Sequence, residues 1–209
     1  SSVPFLAKWS FRLDKHPREG EDAFPIRWER EGELWLAVFD GLGGSGARPI
    51  SVGKSRPRSH AWHASREVRK AVVIAVEAPG DPIEAEELEG IIKHHLQREL
   101  AAVPPAPSRL RGQTIRDLPT TFAAVRLIEG QSGLSVRVFW AGDSRVYALS
   151  PQLGLQQITR DDLEVSVDAF EAIRIDPPMN NVVQASADFI LHEAGLGLQA
   201  PALLFIAAT

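Results

Sequence analysis

The amino-acid sequence predicts an α+β fold in which antiparallel sheets carry helices packed on the outside. Two observations lead there. Strand-like segments cluster before and after a pair of amphipathic helical segments instead of alternating with helices one by one, and the almost continuous apolar run from Leu34 to Phe39 has the length of a strand buried on both faces. The chain has 209 residues, 44% hydrophobic and 24% charged. That is enough for one substantial core, so residues 1–209 are read as a single domain.

The elements follow in order. Trp9, Phe11 and Leu13 alternate with polar neighbours, as do Phe24, Ile26 and Trp28 beyond the polar turn from Lys15 to Gly20, and both runs read as strands. Leu34 to Phe39 ends at Asp40, followed by Gly41, Gly43, Gly44 and Gly46, so a buried strand delivers a carboxylate to a flexible loop. Arg48 to Ser59 is rich in Pro, Ser and Arg without periodicity and reads as an exposed loop. His63 to Glu77 places Val68, Val72 and Val76 on one helical face. After Pro79-Gly80, Leu88, Ile91, Ile92, Leu96 and Leu100 form the stripe of a second helix. Pro104, Pro105 and Pro107 end it and open a linker to Pro119. Strands resume at Thr121 to Ile128, Leu134 to Ala141 and Val146 to Leu149, with Gly130 and Gly133 at a hairpin turn. Asp161 to Ile175 is mixed, helix or flap, and Leu203 to Ala208 has a buried-strand pattern.

Composition narrows the chemistry. No apolar run approaches the roughly 18 residues of a membrane span, and the N-terminus lacks the pattern of a signal peptide, so the expectation is a cytoplasmic protein without a membrane partner. The absence of cysteine excludes disulfides, thiolate metal sites and a Cys nucleophile; any metal must be held by oxygen or imidazole. A net charge of -4 gives no general drive toward nucleic acid, and the basic group Arg48, Lys54, Arg56 and Arg58 reads as a solvated loop.

Three acidic features lie at element ends where loops can gather them: Glu21-Asp22, Asp40-Gly41, and Asp143 within AGDSR. Clustered carboxylates repel unless cations neutralise them, and Mg2+ or Mn2+ prefers oxygen ligands. Asp40 is the best candidate for a bridging ligand, because the glycines after it let backbone carbonyls turn toward an ion. Each feature alone is weak, since an Asp after a strand is more often a turn former.

Their joint order is stronger. Glu21-Asp22, LWLAVFDGLGG, LPTTFAAVRL, VFWAGDSRVYAL and LQQITRDD, spread from Glu21 to Asp162, closely resemble the metal-dependent protein serine/threonine phosphatases of type 2C in their bacterial form. The resemblance implies a four-layer α-β-β-α sandwich and hydrolysis of phosphoserine and phosphothreonine proteins by a water activated at two or more Mn2+ or Mg2+ ions. It implies that Asp40 bridges metals, that the Gly41 carbonyl coordinates one, that Glu21 and Asp22 hold metal or its waters, and that Asp143 serves a further metal or its surroundings. Asp40 and Asp22 would then be the catalytic pair, acting as a monomer. Thr120, Thr121, Ser144 and Arg145 would support the fold.

The sequence departs from the family pattern at four places. The phosphate-clamping Arg falls near Pro17, leaving Arg18 one position out of register as the candidate phosphate ligand. Leu42 stands where eukaryotic members carry a His, a position at which bacterial members commonly have an apolar residue. The segment after Gly46 is longer and more basic than usual. The final strand LLFIAAT would in the family continue into Asp-Gly and later Asp-Asn, so the domain reads as truncated at its C-terminus. The alternative is therefore a catalytically impaired phosphatase-like module that binds a phosphoprotein or regulates a kinase. Two other readings are weaker. Gly53-Lys54-Ser55 lacks the earlier glycine of a P-loop, and the pairs His60/His63 and His94/His95, read as surface helical histidines, lack further zinc ligands at recognisable spacing.

Overall fold

The computed structural model describes residues 20–30, 32–52, 56–78, 83–104, 116–130, 133–163, 179–198 and 204–209. The expected strand Trp9 to Leu13, residue Arg18, the Gly53-Lys54-Ser55 stretch and most of the segment from Asp161 to Ile175 lie outside the described residues.

β1 (Ile26–Arg30) and β2 (Glu33–Gly41) form a hairpin, and the sheet continues through β5 (Thr120–Gly130), β6 (Gly133–Ala141) and β9 (His192–Leu198) in the order β1-β2-β5-β6-β9, antiparallel throughout. A second antiparallel sheet pairs β10 (Leu204–Ala208) with β7 (Arg145–Ser150), and β7 with β8 (Gly154–Gln157). Between β2 and β5 come the single turn α1 (Gly43–Gly46), the short ladder of β3 (Pro49–Ile50) with β4 (Arg58–Ser59), and the helices α2 (His60–Glu77) and α3 (Ala85–Ala101).

The alternation along β2 explains its apolar run. Trp35, Ala37 and Phe39 face a core shared with Val68, Val72, Leu88, Ile92 and Leu96 of the helices. Leu34, Leu36 and Val38 face a second core, where Val125, Val136 and Val138 meet Val146 and Phe205 of the other sheet. One strand is thus buried by helices on one side and by a sheet on the other. Trp35 stacks on Phe139 with ring centroids 5.6 Å apart, extending the first core across the sheet. This is the expected sandwich of two antiparallel sheets; among the described residues, both long helices lie on the five-stranded sheet.

The boundaries differ from the sequence reading in instructive places. α2 starts three residues earlier than its apolar stripe, because Ser59 is its N-cap and accepts a hydrogen bond from Trp62 N at 3.1 Å. The stretch from Arg48 to Ser59 is not a plain loop: Pro49 pairs with Ser59 and Ile50 with Arg58, and Ile50 is buried. β8 and β9 were not expected. All four β8 residues are exposed, and β9 carries Gly195 and Gly197 in place of the β-branched residues that mark strands.

Candidate active site

The end of β2 is pinned from both sides. Asp40 pairs with Thr121 and Gly41 with Thr120 in the β2–β5 ladder, Thr120 Oγ1 donates to the Asp40 carbonyl at 2.6 Å, and Leu42 N donates to Pro119 O at 3.2 Å. On the other side, Ala23 N donates to Phe39 O at 3.1 Å, which lays the Glu21-Asp22 segment along the strand end. α2 fixes that segment. The Glu21 carbonyl accepts from Ser65 Oγ at 2.5 Å and Arg66 Nη1 at 2.9 Å, and Arg66 Nη2 also reaches Gly20 O at 3.2 Å.

Gly41 sits where only glycine fits. A Cβ there would stand 2.6 Å from the carbonyl oxygens of both Glu21 and Ala61. The space above Gly43 is filled by the Glu21 carboxylate, whose Oε1 accepts from Ser59 Oγ at 2.5 Å.

Asp143 arrives from the turn between β6 and β7. Gly142 holds φ +90°, and a Cβ on it would lie 2.7 Å from Thr121 Cβ. The adjacent Ser144 hydroxyl is 2.6 Å from Thr121 Oγ1, in buried surroundings. Asp162 secures the turn: its Oδ2 accepts from Gly142 N at 2.9 Å and from Asn181 Nδ2 at 2.7 Å, its Oδ1 lies 2.9 Å from His192 Nε2, and its own N–H donates to Gly142 O at 3.0 Å. Arg145 is engaged by both oxygens of Asp161.

Electrostatics show that these carboxylates converge. The Asp40 carboxyl is pushed up to about 8, first by burial, then by a hydrogen bond with Asp22, and further by the charges of Asp22, Asp143 and Glu21. These surroundings favour the protonated form of Asp40, which is hydrogen-bonded to Asp22. Among the described residues, no three or more His, Asp or Glu side chains are set at ligand spacing for a metal ion. The chemistry of this donor set suits a hard divalent cation, which would offset the mutual repulsion of the carboxylates around Asp40. Of the residues expected at the site, Asp40, Asp22, Glu21, Gly41 and Asp143 are brought together, and Arg18 lies outside the described residues.

A brace beside the site went unread in the sequence. His60 and His63 are buried, not surface residues. His60 Nε2 accepts from Arg48 Nε at 3.1 Å, His60 Nδ1 faces Asp117 Oδ1 at 3.7 Å, and Arg48 Nη2 reaches Asp117 Oδ1 at 3.3 Å. Burial, and then the Arg48 charge, pushes the His60 imidazole below its ordinary pKa and keeps it neutral. His63 Nδ1 pairs with Glu99 Oε1 at 2.7 Å, a tie between α2 and α3. These histidines serve packing. The supports of the acidic cluster that sequence reasoning missed are Ser59, Ser65 and Arg66 on the Glu21 side and Asn181 and His192 behind Asp162; only Ser59, as a helix cap residue, carried a local signal.

The sheet sandwich is similar to those of solved bacterial proteins. A Stage II sporulation E family protein from Thermanaerovibrio acidaminovorans superposes with a TM-score of 0.57 at 17% identity, covering 85% of this chain and 76% of that one. A bacterial serine phosphatase superposes at 0.55 with 18% identity, covering 87% and 68%. The S. agalactiae serine/threonine phosphatase superposes at 0.54 with 13% identity, covering 88% and 71%. This chain has the fold of the bacterial serine/threonine phosphatases. No protein-family model and no curated protein matches it in sequence. The phosphatase fold persists at such low identity because alternating burial and a few glycines specify it, and many apolar side chains satisfy both. Among the described residues, no helix is long and apolar enough to cross a membrane.

Proposed function

We propose that this chain is a metal-dependent protein serine/threonine phosphatase of type 2C that hydrolyses phosphomonoesters in phosphoserine and phosphothreonine proteins. The observation supporting this most directly is the raised Asp40 carboxyl, forced up by burial and by Asp22, Asp143 and Glu21 at the end of β2, an interior strand of the five-stranded sheet of a phosphatase fold. Such crowding is costly for a protein that has no use for it, and loops that bear binding residues on a rigid scaffold are where such a cost is tolerated.

Asp40, Asp22, Asp143, Glu21 and the Gly41 carbonyl would hold two or more Mn2+ or Mg2+ ions. Bound cations at such a site supply Lewis-acid activation of water and neutralise charge on the phosphoryl group. The chain's own part is positional. Thr120 Oγ1 and the ladder to β5 fix the Asp40 backbone, Ser65 and Arg66 fix Glu21, and Asp162 fixes the turn carrying Asp143. Charge-bearing groups are thereby held before substrate arrives, which limits the reorganisation that hydrolysis must drive. Arg18 would clamp the phosphate. No nucleophilic side chain is required, in keeping with a chain that contains no cysteine.

The test is p-nitrophenyl phosphate hydrolysis by the full chain with and without Mn2+, repeated with Asp40→Asn. Mn2+-dependent turnover lost in the variant is the expected result. A folded chain with no Mn2+-dependent turnover would instead identify a phosphatase-like binding module.

A further inference from the structure

An open cleft of about 290 Å³ lies beside the acidic cluster, bounded by the β3–β4 ladder and the start of α2, and Glu21, Arg56, Arg58, Ser59 and Trp62 line it. Glu21 belongs to both places. Its carbonyl packs against Gly41 at the end of β2, while its carboxylate is turned to Ser59 in the cleft.

The charge of this region runs against that of the molecule. From Leu42 to Arg66 the basic residues are Arg48, Lys54, Arg56, Arg58 and Arg66, and there is no acidic residue, in a chain of net charge -4. Arg48 is held by His60 and Asp117, and Arg66 by the Glu21, Gly20 and Trp62 carbonyls. Arg56, which is exposed, and Arg58, which is half-buried, line the cleft. The Arg58 guanidinium is seated over the Trp62 ring, 5.4 Å from its centroid, and Arg66 covers the same ring at 4.1 Å. Stacking on an aromatic ring restricts a flexible side chain and presents its planar fork, which matches carboxylate and phosphate oxygens in pairs.

We infer that this cleft is a substrate subsite that takes an anionic side chain flanking the phosphorylated residue, a carboxylate or a second phosphate. The inference rests on the phosphatase reading above. Nucleic acid fits poorly, because the one aromatic ring in the cleft is already occupied by two guanidinium groups and Glu21 opposes a continuous polyanion. With the reacting phosphoryl group at the acidic cluster, Glu21, which belongs to both places, puts the cleft next to it, so the anion it takes would be one close in sequence to the phosphorylated residue.

The test uses three peptides of equal length that carry a non-hydrolysable phosphonate analogue of phosphoserine with neutral, Asp or second-phosphonate flanks, titrated by fluorescence anisotropy against the full chain in Mn2+ so that turnover does not intervene. Both anionic peptides are expected to bind about tenfold more tightly than the neutral one, the scale of one paired charge-assisted contact. Arg56→Ala/Arg58→Ala should erase the preference, and Arg58→Lys should keep part of it. Preference for the doubly phosphonate-bearing peptide alone would assign the site to phosphate, and preference for both to any anion. Equal affinity for all three peptides, binding of none, or a preference surviving the double substitution overturns the inference. Hydrolysis of p-nitrophenyl phosphate with Mn2+, which lacks any flank, should be unchanged in the double variant. Its absence in the wild type would refute the phosphatase reading while leaving the peptide preference to be judged separately.

Discussion

Replacing Asp40 by Asn should make the metal-free protein more stable, by an amount that depends on pH. The carboxyl is raised from its ordinary 3.8 to about 8. Between those two values the native state binds a proton that the unfolded chain has released, so stability is full below about pH 4, declines as pH rises, and levels off above about pH 8. At about 1.4 kcal/mol per pH unit, the accumulated loss is on the order of 4 kcal/mol at pH 7 and at most about 6 kcal/mol above pH 8. Asn mimics the protonated acid without the penalty. The variant should therefore match the wild type near pH 4 and exceed it by several kcal/mol near pH 9, measured as urea unfolding in EDTA at intermediate pH steps. Adding Mn2+ should stabilise the wild type, flatten its pH dependence and affect the variant much less. A variant no more stable than the wild type at pH 9, or a wild-type profile with no decline between pH 5 and 8, would refute the reasoning that carboxylate crowding governs this site.

Three further outcomes are expected. Gly142→Ala must place a Cβ 2.7 Å from Thr121 Cβ at φ +90°, and thermal melting should report a loss of about 2–4 kcal/mol. Asp162→Ala leaves Gly142 N and the Asn181 amide without their acceptor, which should cost about 2 kcal/mol in chemical denaturation and lower Mn2+-dependent turnover as the Asp143 turn loosens. The neutral, buried His60 has its pKa lowered, so the unfolded chain binds more protons at acid pH and stability should fall as pH drops below about 6.5. His60→Gln, which still offers an oxygen to Arg48, should reduce the stability difference between about pH 7.5 and pH 5.5 in the same assay.

What was legible in the sequence follows from how locally each feature is encoded. β2 was readable because burial on both faces removes polar residues from Leu34 to Phe39, and α2 and α3 because Val68, Val72, Leu88, Ile92 and Leu96 keep helical spacing against one core. β9 was not readable, since it borrows its place from β6 through the Trp140–His192 to Leu134–Leu198 register and contributes few packing side chains of its own. The acidic residues of the site could be found because each ends an element. Their supports could not: Ser65 and Arg66 look like any polar face of a helix, and Asn181 reaches Asp162 from 19 positions away. The ladder of β3 and β4 was missed for a related reason, being only two residues long on each side and rich in Pro and Arg.

The turn holding Asp143 is also where the chain crosses from the five-stranded sheet to the three-stranded one, and the Thr121–Ser144 hydroxyl pair rivets the crossing. The position of Asp143 is consequently tied to the packing of Val125, Val136, Val138 and Val146 between the two sheets. Trimming or adding a methyl group in that interlayer should therefore change the pH dependence of stability that Asp40 sets, measured by urea unfolding in EDTA, without removing a polar atom.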